Sequence, residues 1–224
     1  PVPYSPVSLL AAKGAGIGWF EDDGAVPVTP ETRNAVRAAA RELEKSGFAL
    51  RPHRPEGLDE ALRLWRIFFL QCGEMFYEEV IQNRREELSP VFQEFLSEAS
   101  AERPLTAMSL LQAWAETDRL RMQFLTQMQG LSLLLLPVCS IPAFRHGERS
   151  WTMEGRDVGY WDAMRFTQWF NLLALPAAVV PVGQSPEGLP IGVQVVGRPY
   201  QDELVLAVAG VLDQAFGYRI PPHV

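Results

Sequence analysis

Residues 16–50 read GIGWFEDDGAVPVTPETRNAVRAAARELEKSGFAL, and this stretch decides the fold class. Gly16-Ile17-Gly18-Trp19-Phe20 has the length and apolar content of a short buried strand, and Glu21-Asp22-Asp23-Gly24 ends it with turn chemistry. Thr29-Pro30-Glu31 then opens a helix. Thr29 is placed to cap it, Pro30 fits the first helical position, and Glu31 suits the positive end of the dipole. Ala35, Val36, Ala39, Ala40 and Leu43 keep helical spacing, Lys45 falls at the negative end, and Ser46-Gly47 stops the helix. Phe48-Ala49-Leu50 reads as a second strand. Strand, helix and strand in so short a span form a βαβ unit, so the two strands are expected to pair in parallel.

Working outward, the pattern is helical from Leu58 to about Asn83 and again from Leu105 to Gln129. Leu62, Trp65, Ile67, Phe68 and Phe69 give the first of these a wide apolar face, and Pro90 and Pro104 mark breaks. Leu131–Leu136 has the length of a buried strand and ends at Pro137. Arg145–Gly159, rich in glycine and charge, reads as a loop, and a short helix follows near Asp162–Asn171. Ala177–Val182 and Ile191–Val196 are β-branched strands separated by Ser185-Pro186-Glu187-Gly188, and Gln201–Phe216 closes as an amphipathic helix. Alternation of this kind predicts the α/β class. There is no internal repeat and no low-complexity tract.

The 224 residues are 47% hydrophobic and 21% charged, an ordinary globular balance. No apolar run reaches the ~18–20 residues of a membrane span, so no membrane partner is expected. Net charge is −7, with no Lys/Arg run, which argues against nucleic acid. Cys72 and Cys139 are distant and form no paired motif. With no basic apolar leader at the start, they point to a reduced, cytoplasmic setting. A first residue of Pro instead of Met suggests a trimmed start or a piece of something longer.

Chemical candidates are few. Gly14-Ala15-Gly16-Ile17-Gly18 precedes a strand, whereas the dinucleotide fingerprint follows a strand and opens a helix, so it reads as turn chemistry. His53, His146 and His223 share no metal-ligand spacing, and no metal site is expected. Cys139 with His146 invites a thiolate–imidazolium reading, but the apolar context of Cys139 favours a buried, inert thiol. None of the eleven serines sits in a Gly-x-Ser-x-Gly or Ser-x-x-Lys motif, and neither Lys13 nor Lys45 neighbours a serine-rich loop. No complete catalytic engine is legible.

The last third carries linked motifs. They are Thr167-x-x-x-Asn171-x-x-Ala174-Leu175-Pro176-Ala177, Val180-Pro181-Val182-Gly183, Gly188-Leu189-Pro190-Ile191-Gly192-Val193-Gln194 and Gly197-Arg198-Pro199. In order, they resemble the C-terminal half of amidase-signature hydrolases, and the run from Gly16 to Leu50 is similar to the central part of that family. Ala174 stands where the family commonly has glycine. The resemblance implies that residues 1–224 form the C-terminal part of one amidase domain, with a helical insert at about 58–129. It implies a mixed β-sheet flanked by helices, and amide hydrolysis (or transfer of the released ammonia) without cofactor or metal. The family's Lys–cis-Ser–Ser triad and its Gly/Ser-rich oxyanion segment have no counterpart in this sequence, so the resemblance assigns no catalytic residue. It implies pocket walls at Phe68, Phe69, Cys139, Ile141, Phe144, Thr167, Phe170 and Asn171. The partners it implies are a small-molecule amide substrate and a missing N-terminal catalytic half, and exposed strand edges would favour a homo-oligomer. The alternative is an inactive amide- or carboxylate-binding scaffold. Residue chemistry leaves the walls open: Thr167 and Asn171 share a helix face, or Asn171 caps its helix. The phenylalanines fit core or pocket.

Overall fold

The computed structural model describes residues 6–101 and 104–217; His223 lies outside them. In chain order the elements begin with α1 (Leu9–Ala12), β1 (Gly16–Trp19), α2 (Pro30–Lys45) and β2 (Ala49–Pro52). A helical block follows: α3 (Leu58–Trp65), a π-helical stretch (Arg66–Gln71), α4 (Cys72–Ile81), a 3-10 turn (Arg85–Glu87), α5 (Pro90–Ala101) and α6 (Ala107–Gln127). The chain then forms β3 (Leu133–Pro137), β4 (Ser150–Met153), β5 (Arg156–Gly159), α7 (Tyr160–Ala163), α8 (Arg165–Leu173), β6 (Ala177–Gln184), β7 (Pro190–Gly197) and α9 (Asp202–Phe216).

The main sheet has the order β2-β1-β3-β7-β6. β1 pairs in parallel with both β2 and β3, whereas β7 runs antiparallel to β3 and β6, so the sheet is mixed. The predicted βαβ unit is present. The Thr29 side chain accepts a hydrogen bond from the Thr32 amide at the start of α2, and α2 buries Ala35, Val36, Ala39, Ala40 and Leu43. β3 is the centre of the molecule, and all five of its residues are buried. Its side chains alternate between two cores, as the period of a strand requires. Leu133 and Leu135 meet α2 and α9, while Leu134 and Leu136 meet α3, α6 and α8. Each fully buried leucine contributes about 1.5–3 kcal/mol of transfer free energy.

The strand expected from Gly16 is present, while three other readings change. Of the Gly14–Gly18 run taken as turn chemistry, Gly16 and Gly18 lie in β1, and close packing is their role. A Cβ on Gly16 would sit 2.6 Å from the Gly130 carbonyl oxygen, and one on Gly18 would sit 2.8 Å from the Leu134 side chain. The Arg145–Gly159 segment contains the hairpin β4–β5, in which Met153 pairs with Arg156 across a two-residue turn. Both turn residues, Glu154 and Gly155, have positive φ (52° and 74°), the geometry of a tight hairpin turn. Finally, residues Pro90–Ala101 form α5, where the sequence shows only helix breaks.

Candidate functional site

Helix α8, which carries Thr167, Phe170 and Asn171, and α3, which runs directly into the π-helical stretch carrying Phe68 and Phe69, are fastened at their first turns by an ion cluster. Arg165, which opens α8, places Nε 2.6 Å from Asp23 Oδ2, with side-chain exposures of only 5% and 2%. Its Nη2 also pairs with Asp59, in the first turn of α3, whose side chain is 82% exposed. Asp23 is anchored in turn, since its Oδ1 accepts from the amides of Ala25 (3.0 Å) and Val26 (3.3 Å). Buried Gln194 of β7 donates to the carbonyls of Pro137 (2.7 Å) and Phe166 (3.0 Å), tying α8 to the sheet.

Phe68, Phe69 and Asn171 come together. They line a cavity of about 320 Å³ with Trp114, Thr117, Asp118 and Arg121 of α6 and Leu172 of α8. Phe69 is stacked on Trp65 with ring centroids 5.4 Å apart, and Phe68 meets Trp114 edge-on at 6.2 Å. Arg121 is braced, donating to the Leu173 carbonyl (3.1 Å) and to Asp118 (2.8 Å). The α6 contributors carry no motif, so sequence reasoning misses them. Their helical segment is legible in the sequence, but only the fold shows which of its faces meets α8.

The other expected residues lie elsewhere. Thr167 donates its hydroxyl to the Met164 carbonyl at 2.9 Å and so completes its own turn. Phe170 is 3% exposed and packs between Phe124 (6.0 Å) and Trp169 (6.1 Å). Ile141 and Phe144 line a second cavity of about 430 Å³, together with Thr29, Arg145, Trp151 and Ser185. Cys139 donates to the Ile141 carbonyl at 3.1 Å, and burial pushes its thiol pKa up, which keeps it protonated and unreactive. Ala174 ends α8 in the left-handed region (φ 52°), the conformation that favours the glycine common in the resembled family.

A third cavity, of about 600 Å³, lies between α5, the π-helical stretch and α7. Phe92, Phe95, Tyr160 and Trp161 form its walls, with Arg66 and Arg149 at its border. Ring contacts run from Phe92 to Phe95 (5.6 Å), from Phe95 to Trp161 (5.9 Å) and from Trp161 to Tyr160 (5.2 Å). The series continues from Trp161 to Trp65 (5.7 Å), which carries Phe69, and from Tyr160 to Phe144 (6.2 Å). One aromatic arc therefore links all three cavities. The sequence points to Phe69 and Phe144 at its two ends and leaves the middle unmarked.

Among the described residues no group of acidic, histidine or cysteine side chains is arranged to hold a metal. Lys45 pairs with Glu42 at 3.4 Å. Ser140 is fully buried and its hydroxyl has no partner among the described residues. The Ser185 hydroxyl accepts from the Leu189 amide in the β6–β7 turn. Such an arrangement can enclose an apolar group and present polar contacts to it. Nucleophilic catalysis also requires a base beside the nucleophile, and the hydroxyls of Ser8, Ser89, Ser97, Ser100, Ser109 and Ser185 bond to groups other than a lysine or histidine.

A sequence profile of the family described as Amidase matches residues 3–206. The chain belongs to the Amidase family. An indoleacetamide hydrolase of Bradyrhizobium diazoefficiens is 26% identical over 223 residues, covering 97% of this chain and 39% of the hydrolase. A glutamyl-tRNA(Gln) amidotransferase subunit from Xanthobacter autotrophicus is 37% identical over 93 residues, 42% of this chain and 18% of that protein. A crystal structure of an amidase superposes with a TM-score of 0.79 at 26% identity, covering 96% of this chain and 48% of the amidase chain. Fatty acid amide hydrolase shares the fold, with a TM-score of 0.78 at 19% identity over 97% of this chain and 42% of its own. The chain thus spans less than half the length of each of these relatives. No helix among the described residues is long and apolar enough to cross a membrane.

Proposed function

We propose that this chain supplies substrate-pocket walls and sheet scaffold to an enzyme that hydrolyses a small amide, with nucleophile, base and oxyanion donors contributed from outside these 224 residues. The observation that carries this reading is the state of β6. It is an outer strand of the main sheet. Ala178, Val180 and Val182 face the core with α2 and α9, whereas Ala177, Val179 and Pro181 on the opposite side are exposed, Val179 to 56%. An apolar edge strand, bare on one face and open along its hydrogen-bonding side, suits continuation of the sheet by further scaffold. The membership of the Amidase family and the length of the relatives support the same reading. In such an enzyme the walls on the π-helical stretch, α6 and α8 exclude water around the scissile amide and orient it. Asn171 is exposed at its cavity, where its carboxamide is available to a substrate polar group.

The test is intact-mass analysis of the chain after treatment with a fluorophosphonate, which captures activated serines. No adduct is expected, and an adduct on any of its eleven serines would overturn the reading. A self-standing binding domain also gives no adduct but stays monomeric. Self-association through the bare β6 edge, read by sedimentation velocity, is expected here.

A further inference from the structure

We infer that the cavity between α5, the π-helical stretch and α7 binds a planar, uncharged aromatic ring, carried by the amide substrate. Its volume of about 600 Å³ lies within the ~300–1,000 Å³ range of small-molecule pockets. Four rings line it, and all four are only half-buried, so each keeps ring surface open to the cavity. Phe92 and Phe95 are stacked almost parallel, 6° apart in plane with centroids 5.6 Å apart, and make an aromatic wall on α5. Tyr160 and Trp161, set at 82° to one another, make an angled wall on α7. A ring entering between them meets faces and edges together, the offset and edge-on contacts that aromatic quadrupoles favour.

The charges at the border argue for a neutral ligand. Arg149 lies 5.3 Å above the Tyr160 ring, pairs with Glu94 at 3.6 Å and donates to the Glu148 carbonyl at 2.6 Å. It already straps α5 to the segment before α7. Arg66 has a partner of its own. Glu94, Glu98 and Asp162 stand at the same border. An anion would approach these carboxylates and a cation would approach the arginines, whereas an uncharged ring avoids both penalties. Through Trp161 and Trp65 the cavity is continuous in ring contacts with Phe69. A ring held here leaves its polar substituent free to extend toward the Asn171 cavity.

That the ring belongs to an amide rests on the proposed function; recognition of the ring rests on the cavity alone. The test is calorimetric titration of the full chain with phenylacetamide and with cyclohexylacetamide, which differ in the aromaticity of the ring. Phenylacetamide is expected to bind about 2- to 10-fold more tightly, the worth of one aromatic pair. Phe95→Leu, which keeps apolar bulk, is expected to abolish the preference, and Phe92→Leu serves if that variant folds poorly. Photolabelling with 4-benzoylbenzamide should mark residues 89–98 or 159–162. Equal binding of the two amides, no binding of either, an unchanged preference in the variants, or labelling confined to the Trp114 or Trp151 walls would each overturn the inference. A serine adduct in the fluorophosphonate experiment refutes the proposed function without touching these results, and loss of ring preference leaves that experiment unchanged.

Discussion

Replacing Arg165 by methionine tests how α8 and the start of α3 are held. Methionine roughly preserves the apolar stem of the side chain and removes the guanidinium, leaving Asp23, whose side chain is 2% exposed, as an uncompensated buried carboxylate. Breaking a buried pair in this way costs about 3–5 kcal/mol. The Asp59 partner is 82% exposed, so Asp59→Asn is expected to cost only about 0–1 kcal/mol, as for surface pairs. Asp23→Asn keeps an oxygen for the Ala25 and Val26 amides but strands the arginine, at about 2–4 kcal/mol. The double variant Asp23→Asn/Arg165→Met removes both charges, so its loss should fall at least about 2 kcal/mol short of the sum of the singles. Urea unfolding followed by tryptophan fluorescence measures all four. Trp169, over whose ring the Arg165 guanidinium sits at 5.9 Å, reports directly on the cluster. Additivity of the singles within about 0.5 kcal/mol would show that the pair is uncoupled and refute the reasoning.

Gly16→Ala should destabilise by about 1–3 kcal/mol, because a Cβ 2.6 Å from the Gly130 backbone oxygen cannot be relieved by a side-chain rotation; a thermal melt equal to that of the wild type would contradict the packing argument. Cys139 should react slowly with iodoacetamide near pH 7.5 and faster as pH climbs, because burial holds its thiol above the usual ~8.5. The folded state keeps this proton longer than the unfolded chain. The associated stability is therefore present below ~8.5 and lost as pH rises through the folded value. Peptide mapping that finds rapid native-state alkylation at pH 7.5 would contradict it.

Legibility in the sequence follows how local the determining physics is. α2 is readable end to end, since Thr29, Pro30, Glu31 and Ser46-Gly47 act within one turn of where they stand. The β4–β5 hairpin is hidden because its strands are only four residues each and rich in charge. The Glu154-Gly155 pair is a usable signal. The site is harder. Phe68, Phe69 and Asn171 share a cavity, yet the arc joining them to Phe144 is assembled from α3, α5, α7 and the loop after β3. Rings that meet only through tertiary packing leave no spacing to read. Phe170 shows the converse, since apolar character on a helix does not separate a pocket face from a core face.

The π-helical stretch at Arg66–Gln71, where the Cys72 amide reaches back to the Ile67 carbonyl, makes α3 and α4 one rod with a break in phase. Each residue of an ordinary helix advances the azimuth by about 100°, and a wide turn absorbs roughly one residue more than its neighbours. The side of the rod that buries Leu58, Ala61, Leu64 and Trp65 therefore does not continue into α4, where Met75, Phe76 and Val80 point outward. Removing a single residue between 66 and 71 would let the turn tighten to regular spacing and swing α4 through about 100°. Chain length at this point thus acts as an angular setting, deciding which apolar side chains the rod turns inward and which it displays.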